Sequence, residues 1–470
     1  MTEPNDGDLD QVRQGLRMAA PPDPERLAAE RRLLVELDAA PLAKRWGGYL
    51  KFIGPGYLQS AMTLGSGTAA SSLFAGAMFG YDLLWVAPMG MLLGVLVMGV
   101  VSHQTLSTGR RVLPAMSEFA SKPLAMGFAV AAMLASIIWH FAQYNLGASV
   151  VVDAATVLGV DGLPPAVGST IILAWAVALS LTYGKSVRLV RVYERFLKYT
   201  VWAVVFLLLW VVVHTPTDWG GVLAGLIPSI PDDVVVPGAN GEQKTVGAIA
   251  VIVAGLAAAV GINMLLLYPY SLQARGWGRE HRGLAKFDLF TGMMVPYALA
   301  SGLMVIASAN TLGEREVGQT ADVATLAGVL GEVIGPVAGR LLFDLGMLAM
   351  SLSTITLHMV CCGFVAMEWF GLPFGSRAQR LMTLLPTPAF LAPLLFSKYP
   401  VWLSIPTTII CGAMVPIAYM GFLILQRSKA YLGSDRQRGL SGAVAVASLL
   451  MASAVMVVSL GFYLVKQFGS

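Results

Sequence analysis

Charge is what this chain has least of. Asp, Glu, Lys and Arg together make up 12% of its 470 residues, against about 25% in an ordinary soluble domain. Cysteine is nearly absent as well: Cys361, Cys362 and Cys411 are the only three. All fall inside long apolar runs, where they read as small hydrophobes and not as a disulfide framework. The sequence carries no phosphate-binding glycine loop, no nucleophile beside a base, no catalytic carboxylate pair and no metal-hydrolase spacing. Nothing in it therefore points to an enzyme or calls for a cofactor. The first 45 residues are polar and lack the apolar stretch of a cleavable signal peptide.

Apolar residues are abundant. They form 56% of the chain and mean hydropathy is +0.70. A bilayer core of roughly 30 Å needs about 20 apolar residues per helix. That ruler predicts about eleven transmembrane helices, at 50–79, 83–107, 123–149, 166–183, 196–214, 246–272, 286–311, 337–368, 379–396, 400–426 and 440–466. The fold class is all-α and polytopic, and the lipid bilayer is the first partner implied.

The few charges that exist orient the chain. With the N-terminus in the cytoplasm, 26 of the 31 basic residues fall on the inner side, and only Lys244, Arg315, Arg340, Lys398 and Lys466 lie outside. Such a bias satisfies the positive-inside rule and fits an odd number of spans, so the C-terminus is expected outside. The net charge of +4 is thus orientation and no footprint for nucleic acid. Direct insertion into a bacterial inner (plasma) membrane is the expected localisation.

Residues 1–24 read as a polar disordered tail, and 24–38 as a short helix against the inner loops. The domains expected are a cytoplasmic tail at 1–48, five helices at 49–214, five more at 246–426, and an eleventh at 440–466. Two outer loops, 215–245 and 312–336, are long enough to cap a vestibule, with a helical part at Val323–Val333.

Within the first span the apolar run is interrupted by Gly65, Ser66, Gly67 and Thr68. Irregular backbone survives at membrane depth only where it lines a protein-enclosed cavity. Five spans later a second run carries Asn263 and Met264, then Tyr268, Pro269 and Tyr270. Proline removes a helix hydrogen bond and disfavours helix at the residue before it. Paired interruptions at a five-helix offset are the mark of an inverted-repeat secondary transporter, with its site between the two halves.

Several local patterns resemble the Nramp metal transporters. Gly54-Pro55-Gly56, Ala75-Gly76-Ala77, Phe79-Gly80-Tyr81 and Leu83-Leu84-Trp85 resemble their first helix and the turn into the second. Leu345-Gly346-Met347 and Ser351 to Thr356 resemble their eighth helix, and Arg377 to Pro386 the segment leading into the ninth. The resemblance covers roughly residues 50–430. It implies the LeuT-like architecture of five-plus-five inverted repeats, one additional helix, and a divalent metal as substrate. Nramp helix one breaks at Asp-Pro-Gly-Asn, whose aspartate and asparagine bind metal; here Gly65-Ser66-Gly67-Thr68 stands instead. The helix-six motif Met-Pro-His-Asn is also missing, and Asn263-Met264 is its nearest equivalent. The closer match is a divergent Nramp-like branch with Gly-Ser-Gly in helix one and Tyr-Pro-Tyr in helix six.

The cargo stays open on residue chemistry. Divalent ions favour carboxylate or imidazole ligands, and no acid lies near the expected centre. If helix 1b begins after Gly67, its free amides would suit the carboxylate of a small organic solute, with Tyr268 and Tyr270 facing the organic body. A non-transporting membrane sensor is a third reading. In span three, His140, Gln143, Tyr144 and Asn145 are candidates for the permeation path or a proton relay, or for a hydrogen-bond network. Asp344 is expected to pair locally with Arg340, and Asp288 to lie at the interface. The coupling ion is not legible.

Overall fold

A computed structural model describes residues 24–182, 187–237, 242–313, 317–373 and 376–468. Residues 1–23 of the tail, and Arg315 among the outer charges, lie outside these. Helix dominates because membrane-buried backbone must satisfy its own hydrogen bonds. Among the described residues, seven helices are long and apolar enough to cross a bilayer, and helix falls in each of the eleven expected segments.

The N-terminal helix α1 (Pro24–Asp38) buries Leu34 and Leu37. It brings Arg31 to Glu280, and Glu30 to within 3.3 Å of the ring of His281. The first span is two helices, α2 (Pro55–Thr63) and α3 (Ser66–Phe79), followed by α4 (Val86–Thr108), α5 (Lys122–Val157), α6 (Pro165–Thr182) and α7 (Val187–His214). The loop after α7 holds a short helix, Trp219–Ala224, and an antiparallel hairpin pairing β1 (Val234–Pro237) with β2 (Gln243–Val246). The second half opens with another divided span, α8 (Ala248–Ala259) and α9 (Ile262–Ala274). Next come Arg282–Leu289, a π-helical turn at Phe290–Met294, α10 (Val295–Leu312) and α11 (Val323–Ile334). The chain continues through α12 (Ala338–Phe370), Ser404–Gly412, Val415–Arg427 and the last helix, Gly439–Phe468. The longest two helices, α5 and α12, pack along each other and form the wall against which both divided spans rest.

Four expectations change in detail. The ninth span is three short pieces, Arg377–Met382, Thr387–Leu391 and Ala392–Leu395; Pro386, Pro388 and Pro393 each remove a backbone donor and prevent one continuous helix. Arg340 pairs with Asp153 of α5, and not with Asp344, whose two carboxylate oxygens are buried without a donor. Asp288 is fully buried and accepts the Gly54 and Gly56 N–H groups at 2.8 and 2.6 Å, capping the free amides at the start of α2. The first break spans only Leu64 and Gly65, and α3 begins at Ser66.

Candidate functional site

The geometry begins at the two breaks. Leu64 leaves the helix and Gly65 is extended, which frees carbonyls at the end of α2. The Thr68 hydroxyl reaches back across the gap to the Thr63 carbonyl at 2.7 Å. The Ser66 N–H, first of the orphan amides of α3, donates to Gln143 Oε1 at 3.1 Å. Gly65 itself is held to hydrogen by its neighbours: a Cβ there would lie 2.7 Å from Thr354 Oγ1 and 2.9 Å from Gln143 Nε2. A side chain at 65 therefore competes with Gln143 for one space.

The second break lies at Val260 and Gly261, both extended. A Cβ on Gly261 would come within 2.5 Å of the Trp139 ring. Pro269 falls inside α9, which continues through it. Just below the break, Met264 ties the two divided spans together: its sulfur receives the Thr63 hydroxyl and the Gly261 N–H, each at 3.5 Å. Asn263 Oδ1 accepts the Met264 N–H at 3.0 Å, while Asn263 Nδ2 is buried without a partner.

Where the breaks meet lies a cavity whose volume open to the centre of a water molecule is about 30 Å³. One water needs about 10–15 Å³ by that measure, so one or two waters fit and an amino acid does not. Its wall includes Gly65, Gly67, Thr68, Gln143, Asn263 and Met264. It also includes Trp139, Thr354, His358, Thr408 and Gly261. The lining offers hydroxyl, amide, thioether and imidazole groups and no carboxylate. Among the described residues, no three His, Cys, Asp or Glu side chains cluster as a metal site.

Five residues expected at the centre, Gly65, Gly67, Thr68, Asn263 and Met264, thus surround one cavity together with Gln143 of span three, and the others lie elsewhere. Ser66 is buried beside it and contributes its backbone to Gln143. Tyr268, Pro269 and Tyr270 are buried along α9 away from the cavity, because the helix carries them past the break. Tyr270 stacks on Phe364 and its hydroxyl donates to Glu368, which also pairs with Arg111. Of the span-three candidates, only Gln143 faces the cavity. His140 lies behind His358, Tyr144 is buried, and the Asn145 amide donates to the Tyr399 and Pro400 carbonyls. Sequence reasoning did not single out Gly261, Trp139 or Thr408 for this site. Val260-Gly261, two residues before Asn263, was the one local signal available.

Divided helices meeting at a buried polar centre define a membrane transporter of the LeuT-like fold, not an enzyme. The model of the natural resistance-associated macrophage protein-like family matches residues 56–465, and the chain belongs to the Nramp family of multi-pass membrane transporters. Its relatives include the divalent metal cation transporter MntH of Deinococcus radiodurans, 24% identical over 82% of this chain and 86% of that protein. A mutant of the Eremococcus coleocola manganese transporter superposes with a TM-score of 0.73 at 16% identity, covering 92% of this chain and 90% of that one. MhsT in complex with L-phenylalanine shares the fold at a TM-score of 0.54 and 13% identity, over 86% of this chain and 97% of its own. The fold alone therefore does not choose the cargo.

Proposed function

We propose that this protein carries a divalent metal ion across the membrane by alternating access, binding it in the cavity between the two helix breaks. The observation that carries this reading is the cavity itself: about 30 Å³, room for an ion with a water or two, lined by oxygen and sulfur donors from both divided spans. The MntH relative is named for divalent cations. The donors nearest the breaks are Thr68, Asn263, Met264 and Gln143. None is charged, so affinity is expected to be weaker than in a site with a carboxylate. Rocking of the divided spans against the α5–α12 wall would open the cavity to each side in turn. The five-plus-five repeat belongs to the same proposal and rests on the paired helix breaks; a cytoplasmic N-terminus and an external C-terminus rest on the distribution of basic residues, and an inner-membrane address goes with them.

The test is uptake into proteoliposomes containing a metal-sensitive dye, with Mn²⁺, Co²⁺ or Mg²⁺ outside. Flux above empty liposomes, reduced in Asn263→Ala and in Met264→Ala, is the expected result. No flux of any divalent ion, with uptake of a small carboxylate or amino acid instead, would return the cargo to the organic class.

A further inference from the structure

The helix Leu42–Tyr49, between α1 and α2, buries one side and leaves the other bare. On the covered side Tyr49 is buried with its ring 5.6 Å from that of Phe287, and Gly48 lies against Leu37 of α1. Arg45 ties the same side down by donating to the Leu37 and Ala40 carbonyls. On the bare side Leu42, Trp46 and Leu50, the helical C-cap, are 65%, 53% and 60% exposed. Residues four apart lie one above the other on a helix, so the three form one stripe. Exposed Ala43 and Gly47 widen it, and the exposed lysines Lys44 and Lys51 flank it.

Three large apolar side chains bare on one short helix mark an interaction surface, and its neighbourhood says what covers it. Leu50 precedes Pro55, the first residue of membrane-buried α2, by five positions. The Trp46 ring lies 5.8 Å from Phe287, at the start of the seventh expected span, and Phe290, three residues further on, is itself more than half exposed. The stripe therefore continues the chain's lipid-exposed surface at the level where two spans enter the bilayer. Charge points the same way: Lys44, Arg45 and Lys51 fall in a stretch with no acidic residue between Asp38 and Asp82. Tryptophan favours the membrane–water boundary, and clustered basic residues there attract anionic headgroups.

We propose that the helix Leu42–Tyr49 is an interfacial anchor: its Leu42–Trp46–Leu50 stripe lies in the bilayer surface where α2 begins, and Lys44 and Lys51 bind anionic phospholipid headgroups there. A helix of this kind sinks its apolar side about 5–10 Å into the boundary between headgroups and acyl chains. The anchor bears on a divided span. Phe287 precedes Asp288, which caps α2 through the Gly54 and Gly56 N–H groups, so lipid that seats the helix also seats α2. The inference needs the membrane-spanning fold and no particular cargo.

The test follows a nitroxide attached to Gly47→Cys in the full-length protein in lipid nanodiscs. A Cβ at 47 meets no atom within 4 Å, and the native cysteines are buried. Power-saturation electron paramagnetic resonance compares access of oxygen, which concentrates in lipid, with access of a water-soluble nickel chelate. In phosphatidylcholine with phosphatidylglycerol, the label should be open to oxygen and shielded from the chelate. Adding Leu42→Gln, Trp46→Gln and Leu50→Gln should reverse that order. Each lysine near an anionic surface contributes roughly fivefold to its partitioning. Lys44→Gln with Lys51→Gln, or omission of phosphatidylglycerol, should therefore raise chelate access, by up to roughly thirtyfold in the ratio of lifted to seated helix. Free chelate access in the otherwise wild-type protein would overturn the proposal, and so would shielding from both reagents, which means a protein cover. Seating indifferent to phosphatidylglycerol and to the lysines would overturn the anionic-headgroup site. Should Gly47→Cys misfold, Ala43→Cys reports from the same exposed side.

Discussion

Introducing a carboxylate at position 65 tests the site from the inside, and the structure says why one substitution is not enough. In Gly65→Asp the new Cβ would lie 2.7 Å from Thr354 Oγ1 and 2.9 Å from Gln143 Nε2. Overpacking of that kind costs about 1–3 kcal/mol, and the single variant should melt lower with little gain in binding. Adding Gln143→Ala removes one of the two contacts and leaves the Thr354 hydroxyl as the one that has to give. A carboxylate about 4 Å from a divalent ion, at an effective dielectric of about 20, gains about 8 kcal/mol of Coulomb energy. Desolvating the carboxylate takes back several kcal/mol. A net gain of about 3 kcal/mol corresponds to about 100-fold in Kd. Isothermal titration of Mn²⁺ into Gly65→Asp/Gln143→Ala, beside wild type and Gln143→Ala alone, measures it. A folded double variant that binds Mn²⁺ no better than wild type would refute the placement of the ion between the breaks.

Other perturbations address the scaffold. Gly261→Ala drives a methyl against the Trp139 ring and Asn263 Oδ1; transport should fall sharply while the melting temperature drops by an amount corresponding to about 1–3 kcal/mol. Asp288→Ala removes the acceptor of two N–H bonds at the start of α2. At about 1.5–3 kcal/mol for each bond to a charged group, a loss of about 3 kcal/mol or more is expected in thermal melting, and Asp288→Asn should recover part of it. Arg340→Gln leaves Asp153 buried without its paired cation, a change expected to cost about 3–5 kcal/mol. Adding Asp153→Asn to Arg340→Gln should restore most of that, and additive losses in the double variant would show that the two groups do not interact.

How much of this was readable in the chain depended on how local the cause was. The span positions were readable because a run of about 20 apolar residues has one solution in lipid. The first break announced itself through clustered glycines, yet only Leu64 and Gly65 leave the helix. Ser66 can start α3 at once, because Gln143 accepts its amide and the Thr68 hydroxyl satisfies the Thr63 carbonyl. The second break was masked. Proline at 269 drew the eye, but a proline costs one hydrogen bond and a helix can continue through it. The extended pair Val260-Gly261 interrupts the backbone while looking like ordinary apolar sequence. Asp288 and Arg340 were misjudged because their partners, the Gly54 and Gly56 amides and Asp153, lie far away along the chain.

The same distance argument bears on glycine at position 65. Viewed along the chain, glycine at 65 leaves an empty position where the resemblance to Nramp helix one would put an aspartate. In three dimensions the position is filled, because the amide of Gln143, 78 residues later, occupies the space a side chain there would enter and caps α3 through Ser66. An aspartate at 65 and the present rotamer of Gln143 compete for one space, so a side chain at 65 requires the Gln143 amide to move. The donors that remain are neutral and come from α3, α5, α9 and α12. A site so built has to hold its ion by the number and softness of its ligands, since it has no anionic group to do so. That is why selectivity against Mg²⁺ discriminates more sharply than affinity does.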